Sequence, residues 1–114
     1  MYHKDLDAWK ESIKLVKEIY ALTKDFPASE LYGLTSQMRR CAVSIPSNLS
    51  EGSARFSKKD KVHFIEISLG SLAELETQII ISQELEYIKN GEEILEHIKK
   101  INALYLGLIK YLKT

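Results

Sequence analysis

The sequence predicts an all-α fold: an up-down-up-down antiparallel four-helix bundle in a single domain, residues 1–114. Three observations carry that expectation. Apolar residues recur at spacings of three and four along nearly the whole chain, and no alternating run reaches strand length. Only two prolines and five glycines interrupt a composition rich in Leu, Ile, Glu and Lys. The breaks are short, which makes consecutive helices antiparallel neighbours.

The first helix is expected from about Leu6 to Lys24. Leu6, Trp9, Ile13, Val16 and Tyr20 form its stripe, widened by Leu15, Ile19 and Leu22. Asp5 or Asp7 is the expected N-cap. Pro27 disfavours helix at Phe26 and ends the segment, and a short turn at Ser29–Tyr32 follows. The second helix is expected from about Leu34 to Arg55, with a seam of Leu34, Met38, Cys41, Ile45, Leu49 and Gly52. The third opens on Ser57 as N-cap, with Asp60 in an imperfect capping box, and runs to about Tyr87. Val62, Ile65, Leu69, Leu72, Leu75 and Ile79 line it. The link KNG offers Asn90 or Gly91 for a positive φ. The fourth runs from about Glu92 to Leu112, and Ile94, Ile98, Ile101, Tyr105, Leu108 and Leu112 follow a strict 4-3-4-3-4 spacing.

Pro46 falls inside the second helix, where proline deletes a backbone hydrogen bond at a cost of about 3 kcal/mol or more. Leu49 carries the seam past it, so a helix kinked at Pro46 is expected. Ending the helix there would leave SNLSEGSAR as an unusually long loop for a bundle. Ser36, Val43, Ser47, Ser50 and Ala54 put small or slim residues on the second face of this helix, alongside Arg40. Gly70 and Ser71 lie mid-way along the third. Close packing of the second and third helices is therefore expected, with Ser44 or Ser47 satisfying carbonyls that Pro46 frees.

Lys plus Arg equals Asp plus Glu at 16 each, so no global charge draws the chain to nucleic acid or membrane. The charge is uneven. Residues 33–61 hold six basic and two acidic side chains, and residues 62–96 hold eight acids and one lysine. The lone Cys41 fits a reducing compartment, no apolar run approaches a membrane span, and the start MYHKDLD is unlike a signal peptide. A cytoplasmic protein is expected.

Little points to chemistry. Bundle di-iron sites use Glu-x-x-His. This chain has only the reversed pair His63–Glu66 and the wider pair Glu93–His97. Cys41 sits on the seam as a small apolar residue, and no Gly-rich phosphate loop occurs. We therefore expect no enzyme, no cofactor and no metal. Arg39, Arg55, Lys58, Lys59 and Lys61 are the candidate nucleic-acid or partner contacts at the corner between helices two and three; an ordinary charged turn is the simpler reading. Arg40, Asn48, Glu51, Glu74 and Glu76 are the candidate structural polar cluster, with Arg40 pairing to a glutamate across helices or subunits. Ile79-Ile80-Ile81, Leu104-Tyr105-Leu106 and Leu108-Ile109 carry more apolar surface than one face can bury, which predicts a homo-oligomer. An interaction or scaffold module is the first functional expectation, and an RNA- or DNA-binding accessory the second.

The stretches LTSQMRRCAVSIPSNLSEGSAR and GSLAELETQ resemble signature segments of the 23S rRNA intervening-sequence protein family. The opening DLDAWKESIKLVKEIYALTKDFP and the link ELYGL resemble it too. The resemblance implies a four-helix bundle that assembles into five-membered rings, encoded within bacterial rRNA-gene insertions or as free-standing genes of unknown role. A related branch comprises accessory proteins of diversity-generating retroelements, which bind a reverse transcriptase and nucleic acid. Cys41, Ser50 and Ala54 stand where alanine, alanine and glycine are expected, and all remain small. The retroelement branch is strongly basic, and this chain is neutral.

Overall fold

Four helices form where the periodicity places them: α1 (Asp7–Thr23), α2 (Leu34–Ser53), α3 (Lys58–Glu84) and α4 (Glu92–Lys113), with single 3-10 turns at His3–Asp5 and Ala28–Glu30. The computed structural model spans residues 1–114. Each helix packs on its two neighbours in the ring α1-α2-α3-α4. The result is an antiparallel bundle of 44 × 24 × 20 Å, and its long axis matches the roughly 40 Å of the longest helix, α3. One apolar core runs through it, with Leu15, Ile19, Met38, Ile45, Leu49, Ile65, Leu75, Ile79, Ile101 and Tyr105 fully buried.

The seams of α2 and α4 lie close to the expected ones. That of α1 does not. Its inward face is Ala8, Ser12, Leu15, Ile19 and Thr23, while Ile13 and Tyr20 are exposed. Two hydroxyls explain the rotation. Ser12 Oγ donates to Ala8 O at 2.7 Å and Thr23 Oγ1 to Ile19 O at 2.8 Å. Their polar groups are thus satisfied within the helix and can be buried at little cost. On α3, Ser82 Oγ likewise donates within its helix, to Gln78 O, while Ser68 Oγ donates across to Ile45 O of α2; both are buried, and Leu69 is displaced to a half-buried position. The N-cap of α1 is Leu6, and neither Asp5 nor Asp7 caps it.

α2 runs through Pro46 to Ser53 without a break. Its serines are spent differently from expectation. Ser44 Oγ donates to Cys41 O at 2.6 Å and lies 2.8 Å from Ser71 Oγ, and Ser47 is exposed. Neither reaches the carbonyl of Ala42, four residues before Pro46. Beyond the proline, Ser50 Oγ donates to Pro46 O at 2.9 Å and accepts from Trp9 Nε1 at 3.1 Å, which ties α2 to α1.

The close approach of α2 and α3 is real, but Gly70 is not its cause: a Cβ there would meet nothing within 4 Å. Gly52 is the contact point. A Cβ on Gly52 would fall 2.8 Å from Phe64 Cβ and 3.2 Å from Lys61 O, atoms that cannot move aside independently of α3. The two glycines therefore have opposite expected signs. Gly70→Ala stabilises by about 0.5–1 kcal/mol, the ordinary helical gain, whereas Gly52→Ala destabilises by about 1–3 kcal/mol through overpacking. Urea denaturation of both variants checks this.

α3 ends earlier than expected. Tyr87 N–H donates to Ser82 O and Glu86 N–H to Gln83 O, both at 2.9 Å, with Glu86 at φ 63°. This is a Schellman stop, and it moves the positive φ from Asn90 or Gly91 to a glutamate. Asn90 Oδ1 instead accepts from Glu92 N–H at 3.0 Å. Gly91 has φ −98° and lies close against α3: a Cβ would fall 3.0 Å from Gln83 Nε2 and 3.2 Å from Ile79 Cγ2, side-chain atoms that would have to give by a few tenths of an ångström.

Candidate functional site

The corner between α2 and α3 is built by a tight link, Ala54–Ser57. Ser57 Oγ accepts from Asp60 N–H at 3.1 Å, the expected N-cap. The basic side chains here divide into two groups. Lys61 Nζ donates to Ser53 O at 2.9 Å and so caps the C-terminus of α2. Arg55 sits 3.0 Å from Glu51 Oε1, with its guanidinium 4.8 Å from the Phe64 ring centre. Lys58 and Lys59 are exposed and make no ion pair with any carboxylate of the chain. They line a recess of about 400 Å³ with Val62, His63, Glu66, Leu112 and Lys113. Lys113 joins this group only on folding, because the recess brings together the two ends of the chain's second half.

Arg39 is placed elsewhere. Its Nε donates to Thr23 Oγ1 at 2.9 Å, and its guanidinium lies 4.7 Å from the Tyr20 ring centre, so it fastens α2 to the end of α1. Arg40 is exposed and pairs with none of Glu51, Glu74 or Glu76 within the chain. The candidate structural cluster does not assemble as one unit. Asn48 Nδ2 donates to Ser44 O rather than to Glu51, and Glu76 faces α4 across a separate groove. Glu74 and Arg40 share a shallow recess with Cys41. There the thiol donates to Ser71 O at 3.0 Å and lies 3.3 Å from Glu74 Oε2. Burial, reinforced by the Glu74 carboxylate, pushes the Cys41 thiol up to about 12, so at neutral pH it is a protonated, unreactive side chain.

Two polar assemblies were not visible in the sequence. The first is buried at the centre. Tyr105 OH lies 2.7 Å from Ser12 Oγ and 3.3 Å from Ile45 O, and Ser68 Oγ donates to Ile45 O at 2.8 Å. One knot thus joins all four helices at the turn before Pro46. Burial raises the Tyr105 phenol above its ordinary value, and its hydroxyl neighbours only partly oppose this.

The second assembly bridges α1 and α4. His97 Nε2 lies 2.8 Å from Glu11 Oε1, and Nδ1 contacts Glu18 Oε1. The ring thus spans the two carboxylates, one nitrogen to each. Lys14 and Lys100 also reach Glu11, at 3.0 and 3.3 Å. The hydrogen bonds from Lys14 and His97 hold the Glu11 carboxyl down at about 2. A carboxyl held lower in the folded chain stabilises it fully above its ordinary value of 4.5. That contribution is lost as the pH falls toward 2. Glu11→Gln is expected to flatten this part of the acid-unfolding profile, read by circular dichroism, and to lower stability at pH 7.

An antiparallel bundle of four helices, closed by a central hydroxyl knot and with no helix long and apolar enough to cross a membrane, defines the class of protein. The chain belongs to the 23S rRNA-intervening sequence protein family, whose sequence model matches residues 4–107. A solved structure from Bacteroides thetaiotaomicron, described as a protein of unknown function from the S23 ribosomal protein family, shares the fold. It is 24% identical, superposes with a TM-score of 0.82, and the match covers 90% of this chain and 95% of that one. No curated protein matches the chain.

Proposed function

We propose that this chain is a non-enzymatic interaction module that works as a cytoplasmic homo-oligomeric bundle, with the five-membered ring implied by its family resemblance as the expected form. The observation that carries the proposal is apolar surface left outside a complete core. Ile80 and Leu106 are 45% and 51% exposed. They continue, at opposite ends, the two helical stripes bordering the α3–α4 groove lined by Leu72, Ala73, Leu95 and Ile98. A second copy seated there removes this surface from water. The Cys41 thiol, protonated and engaged, supports a role without nucleophilic chemistry. The test is Ile80→Glu with Leu106→Glu, at positions where the monomer fold tolerates charge. The double variant should keep its helicity and lose its assembled mass; retention of the wild-type mass would remove this face from the proposal.

A second reading, nucleic-acid binding at the basic corner, is favoured by the absence of carboxylate partners for Lys58 and Lys59.

A further inference from the structure

We propose that the α2–α3 corner, together with the last turn of α4, binds single-stranded nucleic acid, with Lys58, Lys59 and Lys113 on its phosphates and Phe56 stacked on an unpaired base. This rests on the basic-corner reading, and it adds the strand state and two residues outside the original cluster.

Phe56 is 103% exposed, the most exposed apolar side chain in the molecule. It lies on the link between two well-capped helices, so the ring projects from a fixed corner. No aromatic ring or guanidinium of the chain stacks on it, whereas neighbouring Phe64 is covered by Arg55. Two residues further on, Lys58 and Lys59 enter the recess they share with Lys113. Its floor is the buried pair Val62 and Leu112. Within this recess three ammonium groups face a single carboxylate, Glu66, and His63 adds a ring nitrogen at the rim; Phe56 borders a separate hollow on the same corner, with Arg55, Glu51 and Asp60. Such a surface attracts a polyanion even though the whole chain is neutral.

The ring decides which polyanion. A projecting aromatic side chain stacks on a base whose face is open, as in single strands; in a duplex the faces are covered by neighbouring pairs. An acidic peptide satisfies the lysines but offers Phe56 no flat partner.

Fluorescence anisotropy tests this with labelled single-stranded RNA and DNA of about 12 nucleotides, the size range of one such site. The same DNA as a duplex and a polyglutamate competitor complete the set. The proposal expects single strands to bind more tightly than the duplex, and polyglutamate to compete poorly. Phe56→Ala should weaken single-strand binding roughly 5- to 150-fold at an unchanged salt slope. Lys58→Gln, Lys59→Gln and Lys113→Gln should each reduce that slope by roughly 0.7. Equal binding of duplex, or no effect of Phe56→Ala, overturns the single-strand assignment and leaves the basic-corner reading standing. Equally strong competition by polyglutamate overturns nucleic-acid recognition in favour of general anion binding. Absence of binding at low salt, or binding that survives the lysine substitutions, overturns both readings.

Discussion

Tyr105→Ala is expected to destabilise the protein by about 3–5 kcal/mol, whereas Tyr105→Phe should cost only about 0.5–1.5 kcal/mol. Tyr105 is fully buried at the centre of α4's inward face. Removing the ring leaves a cavity that four helices border and cannot jointly collapse into. Removing only the hydroxyl leaves its partners satisfied, because Ser12 still donates to Ala8 O and Ser68 to Ile45 O. The contrast separates packing from hydrogen bonding at the knot. Urea unfolding of the two variants measures it. Equal costs would mean that the hydroxyl, and not the ring, holds the helices together.

The second large effect is expected at His97. Its ring is the one group shared by Glu11 and Glu18 across the α1–α4 interface. His97→Ala leaves two carboxylates near each other without their common partner. We expect a loss of about 2–3 kcal/mol at pH 7, below the full cost of breaking a wholly buried pair because water still reaches Glu18. Lys100 and Lys14 continue to hold Glu11, so most of the loss should come from the Glu18 side. A double-mutant cycle with Glu18→Gln should return a coupling well above the scatter of independent sites. A coupling near zero would show that the ring and Glu18 act separately.

The helices and their order were legible because the apolar spacing of α2 and α4 is nearly unbroken, and Ser57 announced the start of α3. The facing of α1 was not legible. Ser12 and Thr23 read as polar in a hydrophobicity pattern, yet their hydroxyls bond within the helix and go inside. The end of α3 was hidden for a related reason: a glutamate, not a glycine or asparagine, adopts the left-handed conformation. The corner was partly legible. Its charge was plain, but which cations remain available depends on geometry. Lys61 is consumed as a helix cap and Arg39 as a clasp on α1, while Lys113 arrives from the far end of the chain. The Glu11–His97–Glu18 bridge joins residues separated by most of the sequence. Only the ring closure of α1 onto α4 brings them together, and the local pair Glu93–His97 pointed elsewhere.

The homo-oligomer proposed above requires that copies of this bundle cover one another's apolar α3–α4 face. Light scattering coupled to size exclusion, over a micromolar concentration series, tests it most directly. The expected mass is a multiple of the 13.1 kDa chain, with five copies the expected number. A mass of one chain throughout the series would contradict it.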